Sequence, residues 1–145
     1  MNGFSPSRWI KLGVLAVGIT VVASCAEQND PSPRWQLINY WAVWCKPCIE
    51  EIPELNELAR KHGDLVRVTG VNFDGMTGEE LAAEAEKLGV EFELLETDPA
   101  SALGYDRPRA LPTTVLINPA GEITHILEGP QTSDSLYQAM NPGEQ

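Results

Sequence analysis

Tyr40-Trp41-Ala42-Val43-Trp44-Cys45-Lys46-Pro47-Cys48-Ile49-Glu50-Glu51-Ile52-Pro53 sets two thiols two residues apart, after an aromatic and apolar run and before a helical pattern. At a helix start the first sulfur meets unsatisfied backbone N–H groups and the positive end of the dipole, which favour thiolate over thiol. The thiolate is the attacking species in disulfide exchange. The spacing puts the second sulfur one turn along, within reach of the first. Cys45 is therefore the expected nucleophile and Cys48 the resolving thiol, with Lys46 adding positive charge nearby. Environments of this kind lower a thiol pKa from about 8.5 to roughly 3.5–7.5. A static staple is the bland alternative, but a two-residue loop removes little chain entropy. Zinc is the other, and it needs four ligands. Only His62 and His125 remain as imidazoles, in no second cluster, so no metal is expected.

Working outward, Trp35–Trp41 reads as a buried strand and the helical spacing runs from about Pro47 to His62. At about 100° per residue, Cys48, Ile52, Leu55, Leu58 and Ala59 share one face, with Glu50, Glu54, Glu57 and Lys61 opposite. Glu51 falls at the flank of the apolar stripe, where partial desolvation would raise its pKa and suit it to proton exchange. Pro53 is expected to kink the helix. Leu65–Val71 reads as a strand, Gly78–Leu88 as a helix ended by Gly89, and Phe92–Leu95 as a short strand. Thr113–Ile117 and Glu122–Leu127 pair about a turn at Asn118–Gly121, and Ser133 reads as the N-cap of a last helix. The order is β-α-β-α, a hairpin, then α: an α/β sandwich with a mixed sheet.

The chain has 145 residues, with 21 Asp and Glu against 10 Lys and Arg and a net charge of -11. An acidic surface of this kind repels nucleic acid, so none is expected as a partner. Arg8 and Lys11 precede an uncharged stretch, Leu12 to Ala23, too short to span a bilayer and the right length for a signal-peptide core. Val22-Ala23-Ser24-Cys25 resembles a bacterial lipobox. That resemblance implies a lipoprotein signal peptide over 1–24 and lipidation of Cys25, and it uses up the odd one of three cysteines. Residues 25–34, with Pro31 and Pro33, then read as a lipidated N-terminus and tether of at most about 30 Å.

The stretch from Tyr40 to Pro53 resembles the active-site segment of thioredoxin-fold proteins, and more narrowly of the TlpA/ResA-like thiol–disulfide oxidoreductases. The resemblance extends to Leu111-Pro112-Thr113-Thr114, where that family has a cis-proline loop facing the dithiol. It implies a thioredoxin-like three-layer sandwich over 35–145, its mixed central sheet flanked by helices. It also implies a redox-active disulfide between Cys45 and Cys48, with Trp44, Leu111 and Pro112 beside the client; read without it, Pro112 is equally an ordinary strand-starting proline. Glu51 matches the family's glutamate and would tune the deprotonation of Cys48. Asn39 stands where thioredoxins place a buried aspartate, and an asparagine cannot transfer the proton. Family members also carry a strand or hairpin before the active-site strand, so an exposed sheet edge, left open or filled by something else, is expected here.

The expected function is reduction of disulfides in exported proteins, with no cofactor, re-reduced by a membrane thiol donor. The setting is the bacterial cell envelope, lipid-anchored and facing the periplasm or the extracytoplasmic side. Ala26, rather than aspartate, after Cys25 favours the outer membrane. A dedicated role in cytochrome c or copper-centre assembly would change the client and not the chemistry. The alternative from another class is a non-enzymatic lipoprotein that binds a partner or delivers copper through the same cysteine pair.

Overall fold

The structure, a computed structural model, describes residues 33–143. The expectations for the signal peptide, for Cys25 and for the tether up to residue 32 lie outside them.

Five strands form one mixed sheet in the order β3-β2-β1-β4-β5. β1 (Trp35–Trp41) lies at its centre, parallel to β2 (Val66–Asn72) and antiparallel to β4 (Thr113–Ile117). β3 (Glu93–Leu95) extends the β2 side in parallel and β5 (Ile123–Glu128) the β4 side in antiparallel. A central strand covered on both faces needs no apolar–polar alternation, and β1 and β4 are buried nearly throughout. On one face Leu37 and Leu116 pack against Ile52, Leu55 and Leu58 of α1 (Lys46–Lys61) and Leu136 and Met140 of α4 (Ser133–Met140). On the other, Ile38, Tyr40, Val71, Val115 and Ile117 meet Leu95, Tyr105 and Leu111. α3 (Ala100–Leu103) lies over Ile38 and Thr69 on that face, completing the third layer. Where β1 ends, Trp41, Ala42, Cys45 and Cys48 form a further cluster with Leu81 and Ala85 of α2 (Gly78–Leu88).

These elements follow the sequence reading closely. Gly89 ends α2 in the left-handed conformation (φ 71°) that only glycine adopts freely. Four details differ. The four-residue α3 carries no periodicity to read. The cap of α4 is Thr132, not Ser133: its hydroxyl accepts from the Ser135 amide and the Ser135 hydroxyl accepts from the Thr132 amide, a reciprocal box. Glu54, assigned to the solvent face, reaches across to accept from the Ser133 amide (2.9 Å), satisfying another first-turn donor. α1 runs unbroken through Pro53, which is exposed, so the lost hydrogen bond falls on the solvent side.

The sheet edges among the described residues are β3 and β5. β3 pairs with Thr69–Val71 alone, and among the described residues Val66–Val68 have no ladder partner on that side. Arg67 reaches along it to Glu93 (2.6 Å). The β4–β5 hairpin is closed by Asn118, whose side-chain carbonyl accepts from the amides of Ala120 (3.0 Å) and Glu122 (2.9 Å).

Candidate active site

Cys45 is the N-cap of α1, with extended backbone (φ -88°, ψ 95°), and its sulfur accepts from the Cys48 amide at 3.3 Å. The helix end thus directs an otherwise unpaired donor at the sulfur that would carry negative charge after reduction. Cys45 and Cys48 are disulfide-bonded, with Cα atoms 5.3 Å apart. Both are buried, Cys48 at 1% exposure and Cys45 at 4%. Lys46 contributes less than its proximity suggested. Its ammonium pairs with Glu50 (3.4 Å) and both side chains project into water, so its field at the sulfur is screened.

Glu51 is not at the flank of the stripe. It is buried, at 1% exposure, one turn beyond Cys48. Its Oε1 accepts from the Gln131 amide and its Oε2 from Asn39 Nδ2, both at 2.8 Å. The Asn39 amide also donates to Thr114 Oγ1 (3.0 Å), so three segments distant in sequence meet on one carboxylate. Burial raises the Glu51 pKa above its ordinary value, and the two donors oppose the shift without cancelling it. Asn39, read as the absence of a proton carrier, is the residue that holds the carboxylate in place.

At the mouth of the site Trp44 is exposed and donates to Asp74 (2.8 Å) while meeting the Phe73 ring edge-on at 6.5 Å. Phe73 and Leu111 both pack against the cluster that contains Cys45 and Cys48. The Leu111–Pro112 peptide bond is cis, and β4 begins at the next residue. Arg107 lies over the Phe73 ring (4.3 Å) and donates to the Phe73 carbonyl (2.5 Å) and to Asp98 (2.8 Å). Asp98 also accepts from the Tyr40 hydroxyl (2.7 Å) and the Ala100 amide (2.9 Å). Burial would raise its pKa, but donation from Ala100, Tyr40 and Arg107 outweighs that and holds it below the ordinary value.

Cys45, Cys48, Trp44, Leu111 and Pro112 therefore converge at one end of the sheet, with Glu51 beneath. Cys25 lies outside the described residues. The sequence drew attention to Asn39 but not to its bond with Glu51. Gln131 acts through its backbone, which leaves no side-chain signal, and Phe73, Asp74 and Asp98 carry no motif. His62 caps α1 and stacks on Tyr137 (4.4 Å), while His125 is exposed on β5. Among the described residues no three His, Cys, Asp or Glu side chains are grouped to hold a metal.

Comparison with known proteins agrees with this geometry. The AhpC/TSA family matches residues 23–126. The thioredoxin-like protein YneN of Bacillus subtilis is 30% identical over 124 residues, 84% of this chain and 72% of that protein. The thiol-disulfide oxidoreductase ResA of the same organism is 32% identical over 126 residues, covering 81% of this chain and 68% of that protein. Among solved structures, StoA from Bacillus subtilis superposes with a TM-score of 0.60 at 23% identity, over 74% of this chain and 82% of that one, a likeness of fold.

Proposed function

This chain belongs to the AhpC/TSA family, and from that premise we propose that it is a thiol–disulfide oxidoreductase that works through Cys45 and Cys48. In the reducing direction the Cys45 thiolate attacks one sulfur of a client disulfide. A protein–client disulfide forms and the first client sulfur leaves as a thiolate that takes up a proton. Cys48 then gives its proton to the Glu51 carboxylate and attacks Cys45 Sγ; the second client sulfur leaves as a thiolate and takes up that proton from Glu51, which returns to its carboxylate form. The client gains two electrons and two protons, and the protein is left with the Cys45–Cys48 bond.

The observation that carries this reading is the disulfide placed on a helix N-cap, with the Cys48 amide directed at the Cys45 sulfur. The proton transfer is supported by a buried carboxylate one turn from Cys48 whose pKa burial raises above its ordinary value. Trp44 and Leu111 flank the dithiol, and the client segment lies between them beside Pro112.

The reducing direction rests on the resemblance to the TlpA/ResA-like branch. An oxidising compartment would leave the pair oxidised, so this direction requires a thiol donor, for which a membrane protein is the fitting class. Export and anchoring through Cys25 rest on the Val22-Ala23-Ser24-Cys25 pattern, and the periplasmic face, with the outer membrane favoured, on Ala26. Exported proteins with disulfides are the clients that this location supplies.

Replacing one cysteine at a time tests the assignment. Cys48→Ser, reduced and offered a disulfide peptide, should accumulate a mixed disulfide on Cys45, while Cys45→Ser should trap nothing. A Cys45→Ser variant that still exchanges refutes the roles. The reduction potential decides the direction: near thioredoxin's value of about -270 mV the protein reduces, and near DsbA's of about -120 mV it oxidises.

A further inference from the structure

A groove of about 550 Å³ is lined by Phe73, Asp106, Arg107, Pro108 and Arg109. It shares its Phe73 wall with the cluster that holds Cys45 and Cys48. Its far wall leads within two residues to Leu111, which packs on the same cluster. A client segment lying over the dithiol can therefore reach the groove past Phe73.

The groove's charge is unusual for this protein. Carboxylates outnumber cations two to one, and they occupy nearly every cation within reach. Lys46 pairs with Glu50, Arg60 with Glu91, Lys61 with Glu57, Arg67 with Glu93 and Lys87 with Glu84. Arg107 is held by Asp98 and by the Phe73 carbonyl, and Arg34 donates to the Gly63 carbonyl. Among the described residues Arg109 alone of the Lys and Arg side chains has no partner, and it is exposed on the groove. Asp106, on the same groove, makes it unfavourable for a carboxylate to settle away from the arginines.

We propose that this groove selects clients bearing an acidic side chain next to the attacked half-cystine, with Arg109 as the charge that binds it. The proposal deepens the oxidoreductase reading and rests on it. Phe73 and Pro108 offer apolar surface for the segment, and Arg107, already committed, keeps the Phe73 wall rigid. Elsewhere the acidic surface repels such a client, so attraction at this one point also fixes which way the segment runs across the dithiol.

The test uses the reduced full-length protein and synthetic disulfide peptides with Asp or Lys at each position flanking the half-cystine. The ratio of second-order rates, Asp over Lys, is read within each protein, so a general change in dithiol reactivity cancels. The wild type should favour the acidic peptide by about three- to fivefold at low salt, the scale of an exposed ion pair, with the preference collapsing at high salt. Arg109→Gln should bring the ratio near unity and Arg109→Glu should invert it. Arg60→Glu makes the same change in net charge away from the groove and should keep the preference. An unchanged ratio in Arg109→Glu, or an equal loss in Arg60→Glu, overturns the proposal. Hydroxyethyl disulfide carries no charge: if the wild type fails to reduce even that, the oxidoreductase reading itself falls.

Discussion

Glu51→Gln separates the charge of the buried carboxylate from its hydrogen bonds. The glutamine carbonyl can take the Gln131 amide, which now donates to Oε1. The new Nε2 would oppose Asn39 Nδ2, but a flip of the Asn39 amide presents its carbonyl instead, and the Thr114 hydroxyl can turn from acceptor to donor. Every partner is kept and only the ionisation is lost. Burial makes the ionised form costly in the folded protein, so the native carboxyl holds its proton above the ordinary value of 4.5. Between those two values the folded state binds more protons than the unfolded chain, and wild-type stability falls as pH rises, by at most about 1.36 kcal/mol per unit. The glutamine variant has no such loss. Its stability relative to wild type should rise with pH from about 4.5, then level off above the native pKa. For a domain of this size each kcal/mol moves Tm by about 4–8 °C. Urea unfolding of both disulfide-intact proteins, at steps from about pH 4 to 8, measures the difference. A difference that is flat across that range, or that falls with pH, refutes the account. The same variant should exchange disulfides more slowly or with a displaced pH profile, so the charge that weakens the fold is the one the chemistry uses.

Two further perturbations probe the framework around the site. A Cβ on Gly70 would sit 2.8 Å from Phe92 Cε2 and 3.0 Å from both Leu94 Cδ2 and Trp41 Nε1, all in packed surroundings. Gly70→Ala should therefore cost about 1–3 kcal/mol in thermal or urea unfolding, and a neutral result would mean the ring of Trp41 has room to move. Asp98→Asn removes a charged acceptor from Tyr40, Ala100 and Arg107 and should cost about 1–3 kcal/mol at neutral pH. Because the native Asp98 pKa is depressed, its stabilisation is present above the unfolded value of 3.8 and disappears as pH falls through the native one. The wild-type and variant unfolding midpoints should converge there, and a gap that persists at low pH would show that packing, not charge, is responsible.

The fold and the two cysteines were legible because their signals are local. The β1 run, the α1 stripe through Cys48, Ile52, Leu55 and Leu58, and the turn at Asn118 each lie within one window of sequence. Glu51 was legible as a candidate and illegible as a buried residue. A helical wheel counts positions on one helix, whereas the cover over Glu51 comes from Gln131, eighty residues away. The same limit hid Glu54, whose partner is the Ser133 amide, and Asp98, which gathers three donors with no motif around it. Thr132 and Ser133 differ by one place because both carry the hydroxyl that a cap needs, and only backbone geometry distinguishes them. Lys46 erred in the opposite sense: adjacency in the chain suggested an electrostatic role that its pairing with Glu50 weakens.

The Asn118 latch bears on the order in which the molecule assembles. β4 and β5 meet across a few residues, whereas the β1–β2 pairing needs all of α1 between its strands and the β1–β4 pairing joins Ile38 to Val115. Closing the short loop costs least in chain entropy, so this hairpin is the natural nucleus for the sheet. It gains lasting stability only when β1 docks beside it. The strand that follows Pro112 is then ready before the cysteine pair arrives, and loosening the latch should delay folding far more than it alters the finished protein.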